Sequence, residues 1–184
     1  YAEHIDLPKQ EIRDAARKCA AESLVLLKND NNVLPLKKEE TICVMGSMAF
    51  DTTNIVGSWT ADTDYSENVS VYEGLKAKSD NIIQYNCHTP ENHTMVNLKQ
   101  CDKILIVLGE AKAVTGEANS MAKTELTPAQ KFVIERAREA GKPVVGVLLF
   151  GRPIALENNA DYFDALIYAW HPGAQAGNAI ADIL

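Results

Sequence analysis

Two glutamates, Glu110 and Glu117, stand seven residues apart in one polar stretch, and each follows a glycine. A carboxyl beside glycine can be approached closely by a substrate, and one shielded by apolar neighbours can keep its proton near neutral pH and act as a general acid. From composition the plainer reading of both is solvated loop carboxylates, and spacing alone does not settle it. Trp59, in the sequence GSWT, is either a stacking platform for a ligand or an anchor that folds its loop back onto the core. Arg152, in GRP, could bind an anion or hold carbonyl groups in a turn, and the turn role is the plainer one. His88 and His171 follow apolar runs without a partner at i+4 or a Glu-x-x-His context, so they do not suggest a metal site. The Gly46-Ser47 turn lacks the further glycines of a dinucleotide fingerprint, which argues against a flavodoxin-like nucleotide or flavin binder.

The elements that must position these side chains are legible as hydrophobic runs. Ile104 to Leu108 is apolar without alternation, as a strand covered on both faces requires, and it stops at Gly109 just before the two glutamates. Thr41 to Met45, Asn81 to Tyr85, Pro143 to Phe150 and Ala165 to Ala169 read as further strands. Between them, Lys9 to Ser23 has apolar positions at helical spacing, Val71 to Ala77 fits a short helix, and Thr127-Pro128-Ala129-Gln130 opens a helix with a capping box that ends at Gly141. Val25-Leu26-Leu27 either extends the first helix or begins a short strand, and Asn29 to Asn32 is a turn. The alternation predicts an α/β fold, a three-layer αβα sandwich with a mainly parallel central sheet. In such a sheet the loops 46–70, 86–90, 109–126, 151–153 and 170–177 share the carboxyl edge, where ligands collect. A helix that starts at Asn178 is unfinished at Leu184, which suggests a piece of something longer.

Composition excludes more than it assigns. The net charge of −7, with dispersed basic residues, disfavours nucleic acid as a partner. No apolar run approaches a membrane span, and the N-terminal YAEHIDLPKQ lacks the layout of a signal peptide. Cys19, Cys43, Cys87 and Cys101 have no short paired spacing, so free thiols are expected, and with them a reducing, cytoplasmic compartment; a secreted or periplasmic location is the alternative.

Taken together, AARKCAAESLVLLKNDNNVLPL at 15–36, VMGSMAFD at 44–51, GSWT at 57–60, ILIVLGE with TGEANS and LTPAQ, KPVVGVLLFGRPIAL at 142–156 and AWHPGAQAGNAIADIL at 169–184 resemble glycoside hydrolase family 3. The likeness is to the α/β sandwich domain that follows a TIM-like barrel in β-glucosidases, with residues 1–8 as the linker from that barrel and 9–184 as the sandwich. It implies retaining hydrolysis of a terminal β-linked sugar, with a nucleophilic aspartate on the barrel of the same protein and the acid/base on this domain. The position matching the family's Ser-Gly-Glu pattern is Thr115-Gly116-Glu117, so Glu117 is the expected acid/base, with Glu110 in reserve and as a substrate contact. Trp59 falls on the segment whose tryptophan flanks the aglycone side of the cleft, and Asp51 is expected to help shape the same loop and to contact substrate. The family's Ser-Arg after the glutamate loop is replaced by Ser120-Met121, with Lys123 two residues on. A β-linked oligosaccharide or glycoside is the implied substrate, and no cofactor or metal is implied. Without the barrel's nucleophile, these residues alone are expected to be inactive. The alternative is a non-catalytic α/β module that binds carbohydrate or protein.

Overall fold

A computed structural model describes residues 9–60, 64–85 and 98–184. The expected linker at 1–8, and Cys87 and His88, lie outside the described residues. The chain forms helix α1 (Lys9–Ser23), strands β1 (Val25–Asn29) and β2 (Ile42–Met45), helix α2 (Val71–Lys76) and strands β3 (Ile82–Gln84) and β4 (Lys103–Gly109). Helix α3 (Pro128–Glu139), strand β5 (Val144–Leu149), strand β6 (Ala165–Tyr168) and helix α4 (Ala176–Ile183) complete it. One six-stranded sheet has the order β1-β6-β5-β4-β2-β3. Five strands are parallel, and β1 joins the edge antiparallel to β6, with Val25 opposite Tyr168 and an irregularity between Leu26 and Lys28.

The unalternating strands have the two-sided cover that their sequence requires. Along β4, Leu105 and Val107 point into a core shared with Val71 and Leu75 of α2 and Ala176 and Ile180 of α4. Ile104, Ile106 and Leu108 point the other way, into a core closed by Val133, Ile134 and Ala137 of α3. Helix α1 packs against α4 on the first side, so the layers are α1, α2 and α4, then the sheet, then α3. Glycines set how closely α2 and α4 approach. A Cβ at Gly177 would run into the carbonyl oxygen of Ser70, and one at Gly74 into that of Gly177.

Two helix starts carry capping boxes, the one at α3 as its sequence announces. Thr127 Oγ1 accepts from the Gln130 amide at 3.3 Å while Gln130 Oε1 accepts from the Thr127 amide at 2.9 Å, and Ser70 and Glu73 make the same reciprocal pair at α2. The thiol expectation is corrected at one pair. Cys43 in β2 and Cys101, just before β4, are joined in a disulfide with their Cα atoms 5.9 Å apart, and only Cys19 is a free cysteine among the described residues. The pairing arises because β2 and β4 are sheet neighbours, a relationship that spacing along the chain does not reveal.

The strand order reverses between β2 and β4, the place in an open parallel sheet where a crevice opens at the carboxyl ends. The loops after β2 and β4 leave from there, and a cleft of about 880 Å³ lies alongside, lined by Gly46, Ser47, Glu110, Met121, Phe132 and Arg152 among others.

Candidate active site

The loop after β4 is fastened at both ends and stands clear in its middle. At its start, Gln130 Nε2 donates to the Gly109 carbonyl at 2.7 Å, so the cap of α3 also grips the end of β4. At its end, the Ala155 amide donates to the Thr124 carbonyl at 2.9 Å. Glu110 is held between these points. Arg152 donates from Nε to Oε1 and from Nη2 to Oε2, both at 3.0 Å, and from Nη1 to the Lys123 carbonyl at 2.9 Å. The carbonyl of Arg152 in turn accepts from the Tyr168 hydroxyl, whose pKa burial pushes up to about 12. With side chains only 11% and 18% exposed, Glu110 and Arg152 form a planar, two-pronged pair that pins the loop's first residues to the β5 and β6 ends.

The middle of the loop rests on the loop after β2. The Lys112 amide donates to Asn54 Oδ1 at 2.9 Å, and its ammonium bonds the Tyr65 hydroxyl and lies 4.7 Å from the centre of that ring. Asp51 organises this junction: Oδ1 accepts from the amides of Thr53 and Asn54 at 2.7 and 2.5 Å, and Oδ2 accepts from Asn54 Nδ2 at 2.6 Å. Both Asp51 oxygens are therefore engaged in shaping the loop. Farther along, Gly116 lies against Ser58, and the Asn119 amide donates to the Gly116 carbonyl at 3.3 Å, which puts Glu117 and Ala118 at the tip of a tight turn. Glu117 is exposed, and its carboxylate has no hydrogen-bond or ion-pair partner among the described residues. Trp59 is 76% exposed, one residue beyond the Ser58 that Gly116 touches. Gly57, two residues before Trp59, has φ +76°, in the left-handed region that a side chain disfavours.

The structure thus brings Trp59 and the Glu117 turn to one lip, and it separates the two glutamates by environment: Glu110 is tied down and Glu117 is not. Residues singled out less sharply by sequence are prominent here. Arg152 does hold a carbonyl in a turn, but it also carries the Glu110 pair. His171, at the end of β6, is wedged among the loops: a Cβ at Gly57 would lie 2.6 Å from its Nδ1, and one at Gly151 2.5 Å from its Cε1. Burial pushes its pKa below the usual imidazole range, with the Glu110 carboxylate offsetting part of that. Trp170 adopts φ +58° and packs its ring 4.5 Å from that of Tyr168. No group of three or more His, Cys, Asp and Glu residues that could hold a metal occurs among the described residues.

A family model described as the glycosyl hydrolase family 3 C-terminal domain matches residues 24–184. A periplasmic β-glucosidase of Salmonella typhimurium is 33% identical over 94% of this chain, and a β-xylosidase of Formosa agariphila is 30% identical over 99% of it. The crystal structure of a β-glucosidase from Listeria innocua in complex with isofagomine superposes with a TM-score of 0.87 at 30% identity, over 98% of this chain. The chain spans only about a quarter of each of these proteins, 26%, 27% and 26% respectively. On the match of the family model and the extent of these relationships, the chain belongs to glycosyl hydrolase family 3, as its C-terminal α/β domain.

Proposed function

We propose that this domain supplies the general acid/base of a retaining β-glucosidase-type exo-hydrolase, and that Glu117 is that residue. The nucleophile is an aspartate on an N-terminal barrel domain of the whole protein, and the substrate is a β-linked glycoside or oligosaccharide. The observation that carries the reading is the contrast between the two loop carboxylates. Both oxygens of Glu110 are taken up by Arg152, whereas Glu117 stands unpartnered at a turn tip beside Ser58 and Trp59. In the first step Glu117 gives its proton to the departing glycosidic oxygen as the aspartate attacks the anomeric carbon from the opposite face. In the second it takes a proton from the water that releases the sugar, which requires the two carboxyls to sit roughly 5–5.5 Å apart. Trp59 offers an exposed aromatic face to the leaving-group side of a cleft shared with the barrel. Asp51 holds the loop that carries Trp59, through Asn54 and Lys112.

The periplasmic location of the Salmonella typhimurium relative and the Cys43–Cys101 bond support an oxidising compartment over the cytoplasmic one for the whole protein. No helix among the described residues is long and apolar enough to cross a membrane.

The test is chemical rescue in the full-length protein. Glu117→Ala with an activated aryl β-glucoside should stall at the second step, and added azide should restore turnover with a β-glycosyl azide as product. Release of free sugar at the wild-type rate by that variant, or no effect of azide on a slowed one, would remove Glu117 from the role.

A further inference from the structure

We propose that His171 is the positioning residue that sets the spacing between Trp59 and Glu117. The proposal rests on the reading of Glu117 as acid/base, but the geometry behind it is independent of that reading. His171 follows β6, and its imidazole fills a slot whose walls are backbone from two other strand-end loops. Gly57, after β2, stands opposite its Nδ1 and Cγ, and Gly151, after β5, opposite its Cε1 and Nδ1. The loop after β4 closes on the same slot, because a Cβ at Gly151 would also lie 3.3 Å from Thr115 Oγ1. The loops that follow β2 and β5 therefore meet at this one ring, which the loop after β6 carries, and the loop after β4 joins them through Thr115 at Gly151. Each is held there close to a residue of the proposed site: Gly57 is two residues from Trp59, Thr115 two from Glu117, and Gly151 next to the Arg152 that pins Glu110.

The absence of a side chain at Gly57 and Gly151 is what makes room for the ring. The Nε2 atom is buried and has no hydrogen-bond partner among the described residues. Ordinary core packing would place a wholly apolar ring in such a slot, because an unpaired buried nitrogen is destabilising. A ring wedged where these loops meet controls how they stand relative to one another, and misplacing reacting groups by about 1 Å can cost on the order of 100-fold in rate.

The experiment uses the full-length enzyme with His171→Ala, alone and combined with Glu117→Gln, with aryl β-glucosides of poor and good leaving groups and free imidazole as a filler of the slot. The expected result is a loss of about 10–100-fold on poor leaving groups, little loss on good ones, and recovery of several-fold with imidazole. The double variant should be no slower than Glu117→Gln. Hydrogen exchange gives a readout that does not depend on the role of Glu117: in His171→Ala, segments 57–60 and 115–119 should both exchange about tenfold faster, and imidazole should reverse this. Unchanged exchange in either segment, or an equal rate loss on all substrates without imidazole rescue, overturns the proposal. If Glu117→Gln itself shows no dependence on leaving group while both segments loosen in His171→Ala, the acid/base reading fails and the spacing role of His171 stands.

Discussion

Glu110 and Arg152 meet in a two-pronged ion pair, Nε to Oε1 and Nη2 to Oε2, although 42 residues separate them in the chain. The pair converts the end of one strand and the turn after its neighbour into a single rigid base for the loop that bears Glu117. Because both side chains are largely buried, removing one partner strands the other's charge. Arg152→Ala should therefore cost on the order of 3 kcal/mol in thermal or urea unfolding. Glu110→Gln in the full-length protein should lower activity by a similar factor on every leaving group. A loss confined to poor leaving groups would instead make Glu110 the proton donor.

Trp59 makes a different kind of prediction. At 76% exposure its ring contributes little to the core, so Trp59→Ala should leave Tm within about 1 °C of the parent. KM for an aryl β-glucoside should rise about tenfold, the loss of a stacking contact worth on the order of 1 kcal/mol. A fall in Tm with KM unchanged would show that the tryptophan is an anchor of its own loop.

The close approach of α2 and α4 is testable without reference to function. Gly177→Ala drives a Cβ against the Ser70 carbonyl, backbone that cannot swing aside, and should cost about 1–3 kcal/mol. Gly141→Ala is the contrasting variant, because it meets no atom within 4 Å and disturbs only a positive φ at the end of α3. Thermal unfolding of the two should separate crowding from backbone strain.

Stability should fall on acidification in two steps. Burial disfavours the charged form of His171 in the fold, whereas the unfolded chain takes up a proton near 6.5, so its contribution is present above pH 6.5 and is lost as pH falls below it. Asp182 is held down to about 2 by the Arg17 hydrogen bonds and by Lys78, from an ordinary 3.8. Its contribution, on the order of 1 kcal/mol after solvent screening, is present above pH 3.8 and lost as pH falls toward 2. Tm measured against pH should show the first step vanish in His171→Phe and the second in Asp182→Asn. A Tm that stays flat from pH 6.5 to 5 would contradict the first.

Much of the scaffold was legible because it obeys local rules. The unbroken apolar run at Ile104 to Leu108 demands cover on both faces, Thr127-Pro128-Gln130 writes out a capping box, and glycines close the strands and helices. Val25-Leu26-Leu27 stayed ambiguous because β1 is an edge strand exposed on both sides, with Leu26 and Leu27 more than half exposed, so burial leaves no periodic imprint on its sequence. The Cys43–Cys101 bond and the Glu110–Arg152 pair depend on which strands are neighbours, which is a property of topology and not of spacing. That Asp51 shapes its own loop is expected from the resemblance, but its partners, the Thr53 amide and the Asn54 amide groups, needed the structure. His171 gave only a strand-end position, since its significance comes from two glycines far away in the chain.

The proposed function divides one reaction between two domains, with Glu117 as the proposed contribution of this one. The most direct measurement is kcat/KM of the full-length Glu117→Gln variant across a series of aryl β-glucosides spanning leaving-group acidity. The predicted result is a loss of about 100-fold or more for the least acidic leaving groups, shrinking toward parity for the most acidic, which need no proton. A loss of the same size across the whole series, or no loss at all, would contradict the assignment of Glu117 as the acid/base.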